Sequence, residues 1–415
     1  MIRTSMILSL LALLAGSCQQ SEEVRLIISN PLDDQRNDAI ILLTRSAIEN
    51  WIPVMDGRVP ILADTGGEPI PSQLDDVDGD GSWDELFSLI DMGPMEQVTV
   101  VLSLIPPEQF PAFETRTNLR MGANEPGYPE LNEAKRLEGI TYHNHGRTGE
   151  VYQMEGPAWE NDRVGFRNYL DQRNGMDIFG KLTPLMVLDS VGIATRQSYH
   201  EPDAWGMDVL KVGTSLGAGS IGYLYNDSIY RVGDTGSGSY TPVFEGPLRS
   251  RFNLTFDPWM AGNRQVSVLQ QIEIVAGRHC YQSLVTLMDS GGGFDLVTGI
   301  VNMLSDTLYT LDLDPQYTGL LTHDIQSEDT TLLGMALIVP KMDLISVGET
   351  RKSGEGVTET YYAVLNAPDR EPVPYRFYAL WEREDPRWAS LDEILAFLEE
   401  EAARWTQSLM IEVEQ

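Results

Sequence analysis

Cysteine and histidine are both scarce in this sequence, and each shortage limits the chemistry the chain can support. Its 415 residues include two cysteines, Cys18 and Cys280, and five histidines. Two cysteines cannot build a framework of several disulfide bonds, so the core must hold the fold together. Cys280 follows His279 in a strand-like run. There a packed small hydrophobe is a more ordinary use of cysteine than a nucleophile.

Basic residues are also few, with 29 Lys and Arg against 62 Asp and Glu, for a formal net charge of −33. Proteins that bind nucleic acids present a basic surface to the phosphates. We therefore expect no nucleic-acid partner and no peripheral binding to anionic lipid. Solubility is the simplest use of the surplus negative charge.

Long hydrophobic runs are absent except at the N-terminus, where Arg3 precedes apolar residues 6–15. That run is too short to span a bilayer but is typical of an export signal. Cys18 follows Ala-Gly-Ser, as in bacterial lipoprotein signals whose cysteine becomes the lipidated first residue. We predict a signal peptide over 1–17, a tether over 18–23, and an exported protein anchored to the cell envelope through lipid alone. An ordinary secretory peptide is the alternative.

Helical periodicity is missing until the end of the chain. Runs such as VRLIIS, VTVVLSLI and QQIEIVAG are separated by Gly, Asn, Asp and Pro, a pattern that predicts strands and turns. The exception is 390–409, where Ser390 and Glu393 form a capping box and apolar residues keep to one face. The sequence therefore predicts an all-β fold with a C-terminal amphipathic helix.

Composition suggests where the domains divide. Residues 106–135 are rich in Pro, Glu and Asn and show no clear periodicity. We predict a small β-sandwich over 24–105, a linker over 106–135, and a large twisted β-sandwich domain over 136–415 that includes the helix.

An acidic hairpin near residue 80 resembles the start of a calcium loop. Alternating carboxylates and a glycine follow one another at Asp76, Asp78, Asp80 and Gly81, and Asp84 comes four residues after Asp80. Such carboxylates can converge on one hard cation. A metal-free turn rich in Asp and Gly is the alternative. Calcium, if bound, would be structural.

Residues 156–181 combine dense charge with four aromatic side chains. Apolar and polar residues alternate over 159–173, and Asn174-Gly175 is a strong tight-turn signal, so we predict a strand that reverses there. One face of that strand would carry Arg163, Arg167, Tyr169, Asp171 and Arg173. Two arginines could grip a carboxylate or sulfate, because the guanidinium offers a planar fork of donors. A salt-bridged scaffold is the alternative.

A second polar segment begins at Ser198. His200 precedes Trp205, which stands beside a glycine and could form a flat platform for a sugar ring or belong to the core. Asp208 and Lys211 follow on the next strand.

Two further segments extend the list of polar candidates. His143 and His145 would share a face of a strand, as metal ligands, catalytic bases or polar surface. Arg249 is a candidate extension of the polar face. Phosphate loops, dinucleotide fingerprints, nucleophile elbows and HExxH motifs are absent from the sequence.

Three long motifs carry a resemblance to a known family: EGPAWENDRVGFRNYLDQRNGMDIFGK, HEPDAWGMDVLKVGTSLGAG and EGPLRSRF. They resemble Bacteroidota-type lipoproteins encoded in polysaccharide-utilisation loci, a family catalogued mainly as a domain of unknown function. The resemblance covers nearly the whole mature chain. It implies a galactose-mutarotase-like β-supersandwich for the large domain. It also implies similarity to ulvan oligosaccharide dehydratases, which act on unsaturated uronate ends and need no cofactor.

Elimination from a uronate needs an anion clamp, a base and an acid. Arg163 and Arg167 are our candidates for the clamp, His200 for the base, and Tyr169 or Lys181 for the acid. The candidates for binding the acidic oligosaccharide are Trp159, Glu160, Asp171, Arg173, Asp177, Trp205, Asp208, Lys211, His143, His145 and Arg249.

Two other functions fit the same residues. A non-catalytic glycan-binding lipoprotein would use exposed tryptophan and arginine equally well. A glycoside hydrolase or mutarotase on the same fold is the other alternative. Hydrolysis would need two carboxylates across the glycosidic bond, for which Asp162 or Glu160 with Asp208 are the candidates.

Overall fold

The computed structural model describes most of the chain, over residues 23–53, 57–140, 144–193, 198–233, 237–354 and 356–414. The predicted signal peptide, residues 18–22 of the predicted tether with Cys18, and His143 lie outside the described residues, whereas Glu23 of the tether begins β1. Within these ranges, no helix has both the length and the apolar content to cross a membrane.

The N-terminal part of the chain forms two small sheets around their own core. Its elements are β1 (Glu23–Ser29), β2 (Arg36–Thr44), α1 (Arg45–Trp51), β3 (Val59–Asp64), β4 (Ser72–Asp75), β5 (Glu85–Met92) and β6 (Gln97–Ile105). The strand orders are β26-β1-β6-β3, in which β26 (Met410–Val413) comes from the C-terminal part of the chain, and β2-β5-β4. Leu26, Ile41, Leu86 and Leu102 meet in one apolar cluster. Burial alternates along β2, as expected for a strand with one face on a core.

Three larger sheets share a second core. Their strands are β7 (Thr117–Arg120), β8 (Ala134–Lys135), β9 (Ala158–Asn161), β10 (Val164–Asn168), β11 (Met176–Lys181), β12 (Gly206–Asp208), β13 (Ala218–Tyr225), β14 (Ser228–Arg231), β15 (Gly238–Glu245), β16 (Arg249–Ala261), β17 (Arg264–Val275), β18 (Cys280–Met288), β19 (Phe294–Val301), β20 (Tyr309–Asp312), β21 (Tyr317–Ile325), β22 (Leu332–Pro340), β23 (Leu344–Glu349), β24 (Thr360–Ala367) and β25 (Pro372–Trp381). The orders are β12-β11-β10-β9-β7, β14-β13-β19-β24-β23 and β20-β21-β22-β25-β18-β17-β16-β15-β8. A short helix, α2 (Gly146–Val151), precedes β9.

The predicted C-terminal helix is confirmed as α3 (Leu391–Thr406), and so is the all-β class. The Ser390 side chain caps the helix by accepting from the Glu393 backbone N–H at 3.4 Å. Ile394 and Leu398 are buried against residues of the nine-stranded sheet. A last strand, β26 (Met410–Val413), follows the helix.

The predicted domain boundaries stay a prediction. Three strand pairings show how the segments on either side of those boundaries connect. Strands β7 and β8 arise within 106–135 and pair with strands of the large sheets. Strand β26 returns to the small sheet and pairs with β1, Leu26 opposite Val413.

The charged segment contains the predicted reversal. Strands β10 and β11 pair antiparallel with Asn168 opposite Met176, and Asn174 has a φ of 39° in the turn between them. The predicted single long strand is wrong, because β10 ends at Asn168 and residues 169–173 belong to the turn region. Every residue of β10 is buried, so neither face is a solvent face. Phe166 enters the apolar core, and Arg167 lies in a buried polar cluster.

Candidate active site around Arg167

Six polar side chains converge beside strands β10, β11 and β12. We call them the Arg167 cluster: Arg167, Tyr169, Asp177, Tyr199, His200 and Asp208. Strand register explains part of this, because Arg167 lies directly opposite Asp177 and Asp208 lies opposite Phe179, two residues further along β11. Residues two apart on a strand share a face, so the carboxylates of Asp177 and Asp208 are diagonal neighbours.

Arg167 is fully buried at the centre of the cluster. Its Nη2 contacts Asp177 Oδ2 and lies 3.3 Å from Asp208 Oδ2. It also donates from Nη2 to the Tyr169 hydroxyl at 3.0 Å and from Nη1 to the Tyr199 hydroxyl at 2.9 Å. Burying a charge is costly unless it is paired and hydrogen-bonded, and these contacts provide both.

Asp208 connects this buried charge to the surface. Its Oδ2 lies 3.3 Å from His200 Nδ1, and half of the His200 side chain is exposed. The Asp208 backbone N–H donates to the Tyr199 carbonyl at 2.8 Å, which fixes the loop carrying His200 against β12. The result is a continuous path from Arg167 through Asp208 to an accessible imidazole.

Burial and neighbouring charge shift the acidities in the cluster. Burial, followed by the Asp177 carboxylate, raises the pKa of Asp208 well above its usual range. Burial also raises the pKa of Tyr169 and Tyr199, so both hydroxyls keep their protons. Burial, followed by the positive charge of Arg167, lowers the pKa of His200 below 6.5. His200 is therefore a neutral imidazole at neutral pH, able to accept a proton.

A strained turn adjoins the cluster. Met154 and Glu155 have consecutive left-handed φ values of 54° and 65°, and the Met154 carbonyl accepts from Arg167 Nη1 at 3.1 Å. Glu155 Oε1 lies 3.3 Å from Arg173 Nη2 and 3.8 Å from His145 Nδ1. Such backbone strain is typical of functional sites.

Arg173 and Asp171 also border the cluster. The Arg173 guanidinium lies 3.9 Å from the centre of the Tyr169 ring. Asp171 is buried and accepts from Arg173 Nη2 at 2.7 Å and from the Thr148 hydroxyl. The structure therefore brings Arg173, Asp171 and His145 near the predicted base, together with Asp177 and Asp208.

Arg163 does not join Arg167 in an anion clamp. Its side chain is 47% exposed, and its Nη1 lies 3.5 Å from Glu384 Oε1. The Asn161 side chain accepts from the backbone N–H groups of Arg163 and Val164, forming a turn just before β10. The alternation that the sequence suggested is therefore interrupted between the two arginines.

Lys181 and Glu160 form a separate, closed pair. Lys181 is buried, with Nζ 2.5 Å from Glu160 Oε2 and 2.6 Å from the Asn161 carbonyl. The other Glu160 oxygen accepts from two backbone N–H groups, Val187 and Leu188. Burial lowers the pKa of Lys181. No contact with the Arg167 cluster is recorded for this pair among the described residues.

Three more candidates lie away from an accessible sugar site. Trp159 is fully buried and packs against Phe166, so the predicted stacking on a sugar is wrong for this ring, which has no free face. Arg249 is 3% exposed and pairs with Asp75 at 2.6 Å where the small and large sheets meet. Lys211 is exposed on the loop after β12. Trp205 stays partly exposed and meets Phe179 edge-on at 6.0 Å.

The acidic hairpin brings three of its four predicted ligands together. Asp76, Asp78 and Asp84 each offer a carboxylate oxygen within 4.8 Å of the others, and Asp80 is not part of this group. Asp76 also accepts from the backbone N–H groups of Gly79 and Gly81, and such bonds can hold a turn without metal. Calcium binding stays a prediction.

Cys280, the second cysteine of the sequence, is buried with a free thiol. Burial raises its pKa to about 12, which leaves the thiol protonated and unreactive.

Comparison with known proteins places the chain in a family. A family model described as "Domain of unknown function (DUF4861)" matches residues 28–411. "Uncharacterized protein P7" from Formosa agariphila is 22% identical over 256 residues, which cover 57% of this chain and 62% of that protein. The chain thus spans less than two thirds of the length of this relative.

Two solved structures resemble the fold at low similarity. A glycosyl hydrolase family 38 protein from Enterococcus faecalis gives a TM-score of 0.49 at 9% identity, covering 95% of this chain and 48% of that one. An alpha-mannosidase from Enterococcus faecalis V583 gives 0.47 at 9% identity, covering 95% and 46%. At these scores neither likeness bears on the activity of this chain.

Proposed function

This chain belongs to the DUF4861 family, and we propose that it is a carbohydrate-active lyase that eliminates water or a sugar from uronate-containing oligosaccharides. One observation carries the proposal: a half-exposed, neutral His200 is backed by Asp208 and Arg167 and stands beside two tyrosines that keep their protons. Export and lipid anchoring through Cys18 belong to the same proposal.

His200 is the base in this mechanism. On a saturated uronate, elimination begins with loss of the proton on the carbon next to the carboxylate; the electron pair then forms a double bond to the neighbouring carbon and expels the oxygen there. Contact with Asp208 through Nδ1 leaves Nε2 of His200 to take that proton. The charge that develops on the imidazole is then stabilised by the acidic pair Asp177 and Asp208.

Tyr169 is our candidate for the acid. Its hydroxyl donates to Asp177 at 2.9 Å and accepts from Arg167, so the proton that it gives to the leaving oxygen is held in place by two buried partners. Arg167 is buried and acts as a positioning residue. Arg173, stacked on Tyr169, is the nearby cation for the substrate carboxylate.

Hydrolysis by two carboxylates has less support. Glu160 is closed off by Lys181, and Asp162 is bound to Arg116 Nη2 at 2.8 Å. Asp208 is fully buried beside Arg167. None of these carboxylates faces an accessible partner across a gap that could hold a glycosidic bond.

The direct test is to incubate the purified protein with unsaturated and saturated uronate oligosaccharides and follow product mass. Loss of one water, or cleavage into a saturated and a newly unsaturated fragment, is expected. A product that has gained one water would establish hydrolysis instead. Measurable binding with unchanged mass would identify a glycan-binding protein.

Turnover should also depend on pH through His200. Because burial and Arg167 lower the pKa of this imidazole, its neutral form persists to a pH below 6.5. We expect kcat/KM to be constant near neutral pH and to fall as pH drops through that lowered pKa. A fall in kcat/KM that begins above pH 6.5 as the pH is lowered, measured with a substrate that does not titrate in that range, would contradict this assignment.

A further inference from the structure

A second cleft lies where the small sheets, the large sheet and helix α3 meet. It has a volume of about 390 Å³ and is lined by four arginines, Arg36, Arg278, Arg376 and Arg404. The whole chain contains only 29 basic residues against 62 acidic ones. Four guanidinium groups on one cleft are therefore a strong local concentration of positive charge.

Arg36 is bound only by backbone carbonyls. It is 5% exposed and donates from Nη1 to the Gln407 carbonyl at 2.8 Å and from Nη2 to the Arg404 carbonyl at 3.1 Å. Its Nε is buried and has no hydrogen-bond partner. Carbonyls satisfy N–H donors but do not neutralise the charge, so Arg36 keeps an unused donor, and the carboxylates of Asp34 and Glu401 act on it without a direct ion pair.

Arg376 is also unneutralised. Among the described residues no hydrogen bond or ion pair to its guanidinium is recorded, and the group lies 3.5 Å from the centre of the Trp405 ring. The other two arginines share Glu401, which lies 3.3 Å from Arg278 and 3.1 Å from Arg404, and Arg404 also pairs with Asp34 at 2.8 Å and Glu400 at 3.1 Å. The cleft thus holds two arginines with carboxylate partners and two without.

The opposite wall of the cleft is apolar. Ile40 and Leu42 on β2 are 37% and 42% exposed and line the cleft with Ile411 of β26. Burial lowers the pKa of Arg36, and repulsion from Arg278 and Arg404 lowers it further, although the carboxylates of Asp34 and Glu401 offset part of this. An anion in the cleft would relieve that repulsion, and an apolar face on its carrier would cover the aliphatic side chains.

We propose that this cleft binds an anionic group, a sulfate ester or a carboxylate, carried by a sugar whose apolar face lies on Ile40 and Leu42. The carbohydrate nature of the carrier rests on the proposed function, whereas the anion rests on the arginines alone. The cleft shares no lining residue with the Arg167 cluster, so it would hold a distant unit of a long oligosaccharide.

Calorimetric titration of the full chain with inorganic sulfate, a sulfated oligosaccharide and an unsulfated uronate oligosaccharide tests the proposal. Arg376→Gln removes one cation without touching the buried Arg36, and should weaken binding of the preferred oligosaccharide about tenfold. Affinity for the wild-type chain should fall as sodium chloride is added. Arg370→Gln, which removes a 70% exposed arginine elsewhere, is the matched control and should change nothing.

Two variants separate this site from the catalytic one. His200→Ala should retain binding at the cleft, and Arg376→Gln should retain turnover of a disaccharide too short to reach it. If inorganic sulfate binds but neither oligosaccharide does, the anion site would stand and the proposal that a sugar carries the anion would be overturned. Equal affinities of wild type and Arg376→Gln for all three probes, or no binding of any, would overturn the site.

Discussion

Replacing His200 with alanine is expected to lower kcat by about 10²- to 10⁴-fold, the usual contribution of a positioned base. Binding of the oligosaccharide should persist, because His200 is exposed on a loop and the buried members of the cluster keep their contacts. Steady-state kinetics on the substrate identified by product mass, with a parallel binding titration, separates the two effects.

The matched control is His323→Gln. His323 lies on β21, where its Nε2 bonds the Trp388 carbonyl at 3.0 Å, and it belongs neither to the Arg167 cluster nor to the lining of the arginine cleft, so its loss should leave kcat within about twofold. Undiminished turnover in His200→Ala would remove His200 from the mechanism. A loss shared equally by both histidine variants would point to general damage instead of a lost base.

Arg167→Met should destabilise the protein by about 3–5 kcal/mol, the second large effect that the structure predicts. The substitution leaves Asp177 and Asp208 buried without their cation and removes the donor to both tyrosines and to the Met154 carbonyl. Urea unfolding at neutral pH, followed by tryptophan fluorescence, measures the change in the free energy of unfolding.

Arg163→Met provides the comparison for that loss. Arg163 is 47% exposed with one ion pair at 3.5 Å, so its removal should cost about 1 kcal/mol or less. Adding Asp177→Asn to Arg167→Met should recover part of the lost stability, because the buried carboxylate that was in direct contact with the guanidinium is then removed. Equal costs for the two arginine variants, with no recovery in the double variant, would show that Arg167 is not a buried counter-ion.

Much of the fold was accessible from the sequence because local signals were strong. The capping residues Ser390 and Glu393 and the apolar stripe marked α3, and Asn174-Gly175 marked the reversal between β10 and β11. Strand β26 was not predicted, because four residues pairing with β1 nearly four hundred positions away leave no local trace.

The site was predicted only in part, for a physical reason. Alternation of polar and apolar residues identifies the two faces of a strand, but it cannot tell which face is exposed to solvent. Both faces of β10 and of β11 are buried. Lys181 and Arg167 were therefore read as accessible, although each is enclosed by its own partners. Tyr199 and Glu155 were not predicted as site residues. The signal for Tyr199 was its position next to His200, and the signal for Glu155 was the Glu-Gly-Pro sequence that it begins.

The pairing of β26 with β1 has a consequence for how the chain is made. Synthesis produces β1 first and β26 last, with the whole large domain between them. Until β26 pairs with it, β1 has β6 as its neighbour on one side and an open edge on the other. An open strand edge can pair with other chains. By pairing with β1, β26 therefore protects this edge of the four-stranded sheet from aggregation.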